Sequence, residues 1–167
     1  MFSKGPIHLV DCDVQMGNGK ILSRQIIEHP GSIVIIPRNA KGEIGLVRQF
    51  RFAAEKWLWE FPAGGVEKNE SLPEAAQREL AEETGYHPNK LKKVISFFPT
   101  PGISGELMHL FLAEDLVYAP LEQDEDEDIE VKYFGIKQLE QMIRKQEILD
   151  AKTILGFTYL KMVGTFE

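Results

Sequence analysis

Cysteine, histidine, basic charge and long apolar runs are all scarce in this sequence, and each shortage closes off a class of function. There is one cysteine, Cys12. It has no partner for an internal disulfide and no companions at zinc-ligand spacing, so it reads as a small hydrophobe in a strand. The four histidines, His8, His29, His87 and His109, show no metal spacing. No apolar run approaches the ~20 residues needed to span a bilayer. No charged segment followed by an apolar one opens the chain as a secretory signal would. These features point to a cytoplasmic protein without a membrane partner. Lysine and arginine number 19 against 26 aspartates and glutamates, a net charge of −7. With no basic stripe, a nucleic-acid backbone is not an expected partner. Seven of the acidic residues fall within Glu122 to Glu130, so the rest of the chain is near neutral.

What is present is an ordinary globular composition, 43% hydrophobic and 27% charged over 167 residues. That length fits one domain with a sizeable core, here expected over 1–167. Two strands, Ile7 to Val14 and Ile21 to Glu28, flank Gly17-Asn18-Gly19 and read as an N-terminal β-hairpin within 1–30. The run Ser32 to Pro37 suits a buried strand. A turn at Asn39 to Gly42 leads to Glu43 to Phe50 as its expected hairpin partner. Trp57 to Phe61 is a further strand, entering Pro62-Ala63-Gly64-Gly65, where the glycines are expected to turn the backbone tightly and let it approach a ligand. Leu91 to Phe98, Leu107 to Ala113 and Ile129 to Phe134 read as strands. Ile136 to Gln146 and Ala151 to Val163 read as helices with apolar faces. Strands before, between and after helices indicate an α/β layered domain with a mixed sheet.

The stretch Gly64 to Tyr86 is the most informative. Ser71 and Glu74 have the form of a capping box, Pro73 sits just inside the helix start, and Gly85 is placed for a left-handed C-cap. The helix runs from about Leu72 to Thr84. On it Glu79, Glu82 and Glu83 leave one face, at a cost of roughly 0.2–0.5 kcal/mol per like-charged pair. Arg78 can reach Glu82 and offset part of this. A divalent cation would offset more, and oxygen ligands suit magnesium, manganese or calcium rather than zinc.

The spacing Gly64-x5-Glu70-x7-Arg78-Glu79-Leu80-x-Glu82-Glu83-x-Gly85-Tyr86 resembles the signature of the Nudix hydrolases, over 64–86, at every fixed position. Tyr86 stands where a bulky aliphatic is usual. The resemblance extends through Gln49-Phe50-Arg51, through Trp59-Glu60-Phe61-Pro62-Ala63-Gly64-Gly65 and through Pro99-Thr100-Pro101-Gly102-Ile103-Ser104-Gly105-Glu106. These flanks look like the branch that hydrolyses ADP-ribose and related nucleoside diphosphate sugars, with Pro101 as its marker. The resemblance implies a Nudix-type α/β/α sandwich and Mg2+-dependent cleavage of a pyrophosphate, with Mn2+ able to substitute. ADP-ribose would give AMP and ribose 5-phosphate. A dinucleoside polyphosphate or NADH as substrate, or a domain that binds its ligand without turnover, are the alternatives.

The metal ligands it implies are Glu79, Glu82, Glu83 and the Ala63 carbonyl. Arg78, with Glu70, orients the helix and its carboxylates. Arg51 would grip a phosphate or ribose, with Glu60 and Gly102 beside the substrate and Glu106 on the terminal sugar hydroxyls. A catalytic base is implied on the acidic segment, Glu125 first and Glu127 second. The 1–30 segment would serve a homodimer.

Overall fold

The computed structural model describes residues 2–4, 7–122 and 128–166. Ten strands and three helices are described. The N-terminal sheet is antiparallel, in the order β1 (Phe2–Lys4), β2 (Ile7–Gln15), β3 (Ile21–Glu28). Gln15 pairs with Ile21 across the expected hairpin, and Gly19 supplies its positive φ of 82°. Cys12 is a free thiol, half-buried in β2.

The body holds two sheets. In the four-stranded one, β4 (Ser32–Pro37) lies between β7 (Ala63–Gly65) and β9 (Met108–Tyr118), with β8 (Tyr86–Phe97) outside β9. The β4–β9 pairing is parallel and the others are antiparallel, so this sheet is mixed. The three-stranded sheet is antiparallel, with β5 (Ile44–Arg51) between β6 (Lys56–Glu60) and β10 (Glu130–Phe134).

Helices cover both faces of the mixed sheet, which is why β4 is apolar almost throughout rather than alternating. Ile33 and Ile35 face α1 (Leu72–Thr84), packing with Ala75, Ala76 and Leu80. Val34 and Ile36 face the other way, into a core built with Phe61, Leu110, Leu139 and Phe157. Leu139 belongs to α2 (Ile136–Arg144) and Phe157 to α3 (Ala151–Met162). Each fully buried aliphatic of this kind contributes about 1.5–3 kcal/mol. The α/β/α sandwich is therefore as expected. Among the described residues no helix is long and apolar enough to cross a membrane.

Two local expectations are corrected. The run from Glu43 is not the hairpin partner of β4. The turn at Asn39 to Gly42 forms, with Gly42 at φ 78°, but beyond it only the single bridge Arg38–Ile44 links the two segments. Pro37 has no N–H to extend a ladder, and β5 pairs with β6 and β10 instead. The residues Ala63-Gly64-Gly65 do not turn either. They form β7, paired antiparallel with β4 from Ser32 opposite Gly65 to Val34 opposite Ala63.

Candidate active site

The helix that carries the carboxylates forms for the reasons visible in its sequence. Ser71 and Glu74 complete the reciprocal capping box, Pro73 lies in the first turn, and Gly85 ends the helix at φ 76° with its N–H on the Ala81 carbonyl. Leu80, Ala75 and Ala76 press the helix onto the sheet, which turns the Arg78 face toward β7.

Arg78 organises that face. Its Nε donates to Glu70 Oε1 at 2.8 Å, and Nη2 donates to Glu70 Oε2 and to the Gly65 carbonyl, both at 3.0 Å. Nη1 donates to Glu79 Oε1 at 2.8 Å and to Glu82 Oε2 at 3.0 Å. Five N–H groups thus meet five acceptors, the full capacity of a guanidinium. Its pKa is raised, first by the hydrogen bonds to Glu70 and despite partial burial. The same pairing holds the Glu70 carboxyl below its usual range. Arg78 orients carboxylates in this arrangement and has no N–H left over for a substrate.

Gly64 is required by a close approach, not by a turn. A Cβ at this position would lie 1.9–2.3 Å from the carboxylate atoms of Glu79. Only hydrogen at this Cα lets Glu79 lie against β7. Glu83, one turn on, is 2% exposed. Its charge helps raise the pKa of Arg51, after the larger effect of the Glu60 hydrogen bonds.

Arg51 and Glu60 form the second cluster. Glu60 Oε1 and Oε2 accept from Arg51 Nε and Nη2 at 2.8 and 2.7 Å. Arg51 is 40% exposed whereas Glu60 is only 1% exposed. Glu60, expected beside the substrate, lies beneath Arg51. Lys152 of α3 closes on Glu60 Oε2 and also donates to Asp150 Oδ1 at 3.0 Å. Burial alone pushes the Glu60 carboxyl up, but Arg51 and Lys152 outweigh it and hold the group below its usual range.

Glu106 is held by the first residue of β4. Its Oε1 accepts from Ser32 Oγ at 2.6 Å and lies 4.0 Å from His29 Nε2. Ser32 pairs with Gly65 on one side and Met108 on the other. The loop before β9 is fastened to β3, since Ile27 N–H donates to the Ile103 carbonyl and Gly105 N–H to the Ile27 carbonyl, at 2.8 and 3.0 Å. Gly102 is exposed on that loop with open space around its Cα. Glu125 and Glu127 lie outside the described residues.

Lys152, Asp150, Ser32 and His29 were not singled out by sequence. Asp150 carries a readable signal, an N-cap aspartate before an apolar-faced helix. Lys152 carries none, since its partner is 92 residues away. A cleft of about 650 Å³, lined by Arg38, Lys90, Glu114 and Tyr133 among others, shares none of these site residues.

The donor set fits a hard divalent cation. Three carboxylates share one helix face and Gly64 leaves room for one of them. Among the described residues no three His, Cys, Asp or Glu side chains converge into a cation cage. Magnesium does not need one, because it keeps several waters and binds through one or two carboxylates plus substrate phosphates.

A sandwich with this carboxylate helix laid against a glycine strand defines a Nudix domain, and the chain belongs to that family: the NUDIX domain matches residues 28–155. Among curated proteins it is similar to an ADP-ribose pyrophosphatase of Bacillus subtilis, 39% identical over 97% of this chain and 89% of that one. It is also similar to a methanol dehydrogenase activator of Bacillus methanolicus, 35% identical with the same coverage. A GDP-mannose pyrophosphatase of Escherichia coli is 33% identical over 93% of this chain and 87% of that protein. The crystal structure of an ADP compounds hydrolase has the same fold, with a TM-score of 0.84 at 22% identity over 98% of this chain and 91% of that one.

Proposed function

We propose that this protein hydrolyses the pyrophosphate bond of ADP-ribose, or of a closely related nucleoside diphosphate sugar, with Mg2+ as the resident cation and Mn2+ able to replace it. The observation that carries the reading is the electrostatic link between two clusters. The Arg78-ordered carboxylates lie on one side, and the outward-facing Arg51 lies within electrostatic reach of Glu83. Nudix hydrolases generally use a divalent metal, and the relative at 39% identity bears the name of an ADP-ribose pyrophosphatase.

When bound, the cation would neutralise charge on the diphosphate oxygens. Glu79, Glu82, Glu83 and the Ala63 carbonyl would hold it. Arg51 contributes a forked guanidinium suited to phosphate oxygens. Glu106, oriented by Ser32, accepts hydrogen bonds from sugar hydroxyls, with Gly102 on the loop beside it. The base that takes the proton of the attacking water is assigned to Glu125, with Glu127 second. The protein works as a cytoplasmic homodimer joined through its N-terminal strands, and a stable monomer in sedimentation at working concentration would rule the dimer out.

The test is a phosphate-release panel with phosphatase coupling, run with Mg2+ on ADP-ribose, GDP-mannose, ADP-glucose, UDP-glucose, NADH and diadenosine polyphosphates. ADP-ribose should be preferred, Glu83→Gln should be inactive, and Glu125→Gln or Glu127→Gln should lose about 10²–10⁴ in kcat. Near-wild-type turnover in both loop variants and their double would remove the segment from the reaction. Binding without turnover on the whole panel would overturn the hydrolase reading.

A further inference from the structure

Resting on the reading that Arg51 grips the substrate, we propose that Lys152 is a positioning residue for Arg51, acting through the buried carboxylate of Glu60. Glu60 is the last residue of β6, three residues before the Ala63 carbonyl. Its two oxygens serve Arg51 Nε and Nη2, and Lys152 Nζ takes the same Oε2 that Nη2 uses. A carboxylate gripped by Arg51 alone could swing with that side chain. With an ammonium fixed on one oxygen, its rotation is set, and with it the plane of the guanidinium it holds.

Lys152 can fix Glu60 because it is itself held. It is the second residue of α3, and its side chain is 9% exposed. Asp150, the helix N-cap, divides its two oxygens: Oδ2 accepts from Thr153 N–H at 2.9 Å and from Thr153 Oγ1 at 2.6 Å, while Oδ1 accepts from Lys152. Thr153 Oγ1 in turn accepts from Phe61 N–H at 2.8 Å. The first turn of α3 is thus bolted to the junction of β6 and β7, and Lys152 reaches Glu60 from a rigid base. Two cations and two carboxylates balance in the cluster. Arg51 Nε and Nη2 are turned to Glu60, Nη1 makes no hydrogen bond to it, and the side chain as a whole is 40% exposed. The N–H groups not committed to Glu60 are the ones available to an anionic substrate.

Taking Lys152 away leaves the buried Glu60 to Arg51 alone and costs stability, so a thermal melt first establishes that Lys152→Met is folded at the assay temperature. On whichever diphosphate of the panel is turned over fastest, Lys152→Met should raise KM about tenfold and leave kcat within about threefold, the pattern of lost binding shared by ground and transition states. Arg51→Lys should shift KM the same way, and the double variant should add little to Arg51→Lys alone. An unchanged KM in Lys152→Met, or a fall in kcat without a rise in KM, overturns the inference while Arg51→Lys still reports on the grip. No KM effect in Arg51→Lys overturns the reading of Arg51 itself. Should Lys152→Met fail to fold, Glu60→Gln breaks the same relay at its middle and carries the same expected KM, and an unchanged value there overturns the inference equally.

Discussion

At the scale of single residues, Gly64 and Arg78 state the same requirement from opposite sides. Arg78 needs five acceptors in fixed places, and one of them, Glu79, reaches its place only because Gly64 has no Cβ. In Gly64→Ala the obstacle is the far end of a flexible side chain, so the backbone can stay while Glu79 moves. The melting temperature should stay within a few degrees of wild type, and activity should fall by at least about tenfold, as for the loss of a group that orients a ligand. Gly65→Ala, whose Cβ would meet nothing within 4 Å, should keep both. Thermal melts and initial rates on the two purified variants make the comparison. Equal losses in both would mean that the strand needs its glycines for backbone freedom instead.

Among the elements, α1 was legible because its signals are local: the cap at Ser71 and Glu74, Pro73 in the first turn and Gly85 at the end all act within a few residues. Ser71→Ala removes that cap at a cost of about 1 kcal/mol, which for a chain of this size lowers the melting temperature by roughly 2–4 °C. A calorimetric scan checks it, and an unchanged value would show that packing alone holds the first turn. Three features were not legible. β7 was hidden by its glycines, which in a sequence signal bending and here serve close contact. The separation of β4 from β5 depends on which strands compete for β5, and those lie far along the chain. Gly156 sits in the middle of α3, where glycine usually weakens a helix. It is accounted for only by packing, since a Cβ there would come within 3.1 Å of Phe61 and 3.3 Å of Ile36 and Leu110. The carboxylate helix forms where its residue types and spacing predict it, whereas Arg51 came forward only through the resemblance and its support from Lys152 lies on another element.

For the whole molecule, the direction of its carboxyl shifts sets the response to acid. Glu60, Glu70, Glu74 and Glu140 all titrate below the ordinary 4.5, Glu140 at about 2. A depressed carboxyl stabilises fully above its unfolded pKa, and that contribution is lost as pH falls through the folded value. Resistance to urea should therefore be flat from neutrality to about pH 5 and decline between about pH 4.5 and 2. Glu74 and Glu140 are solvent-facing, and their share should shrink with added salt. The buried Glu60 should keep its share. Urea midpoints at several pH values, at low and high salt, read this out. A midpoint that rises on acidification would contradict the pairing described for these groups.

The bolt between α3 and the β6–β7 junction also bears on the order in which the protein is made. Every box residue, and Arg51 and Glu60 with them, leaves the ribosome well before residues 150–153 do. Through that interval a nascent chain carries an acid destined for the interior without the ammonium that will neutralise it there, and the backbone N–H of Phe61 awaits its acceptor. The Arg51–Glu60 pair gains its third member only once residues 150–153 have emerged, and a product cut short before Asp150 would bear the whole signature without the ammonium that Glu60 accepts from.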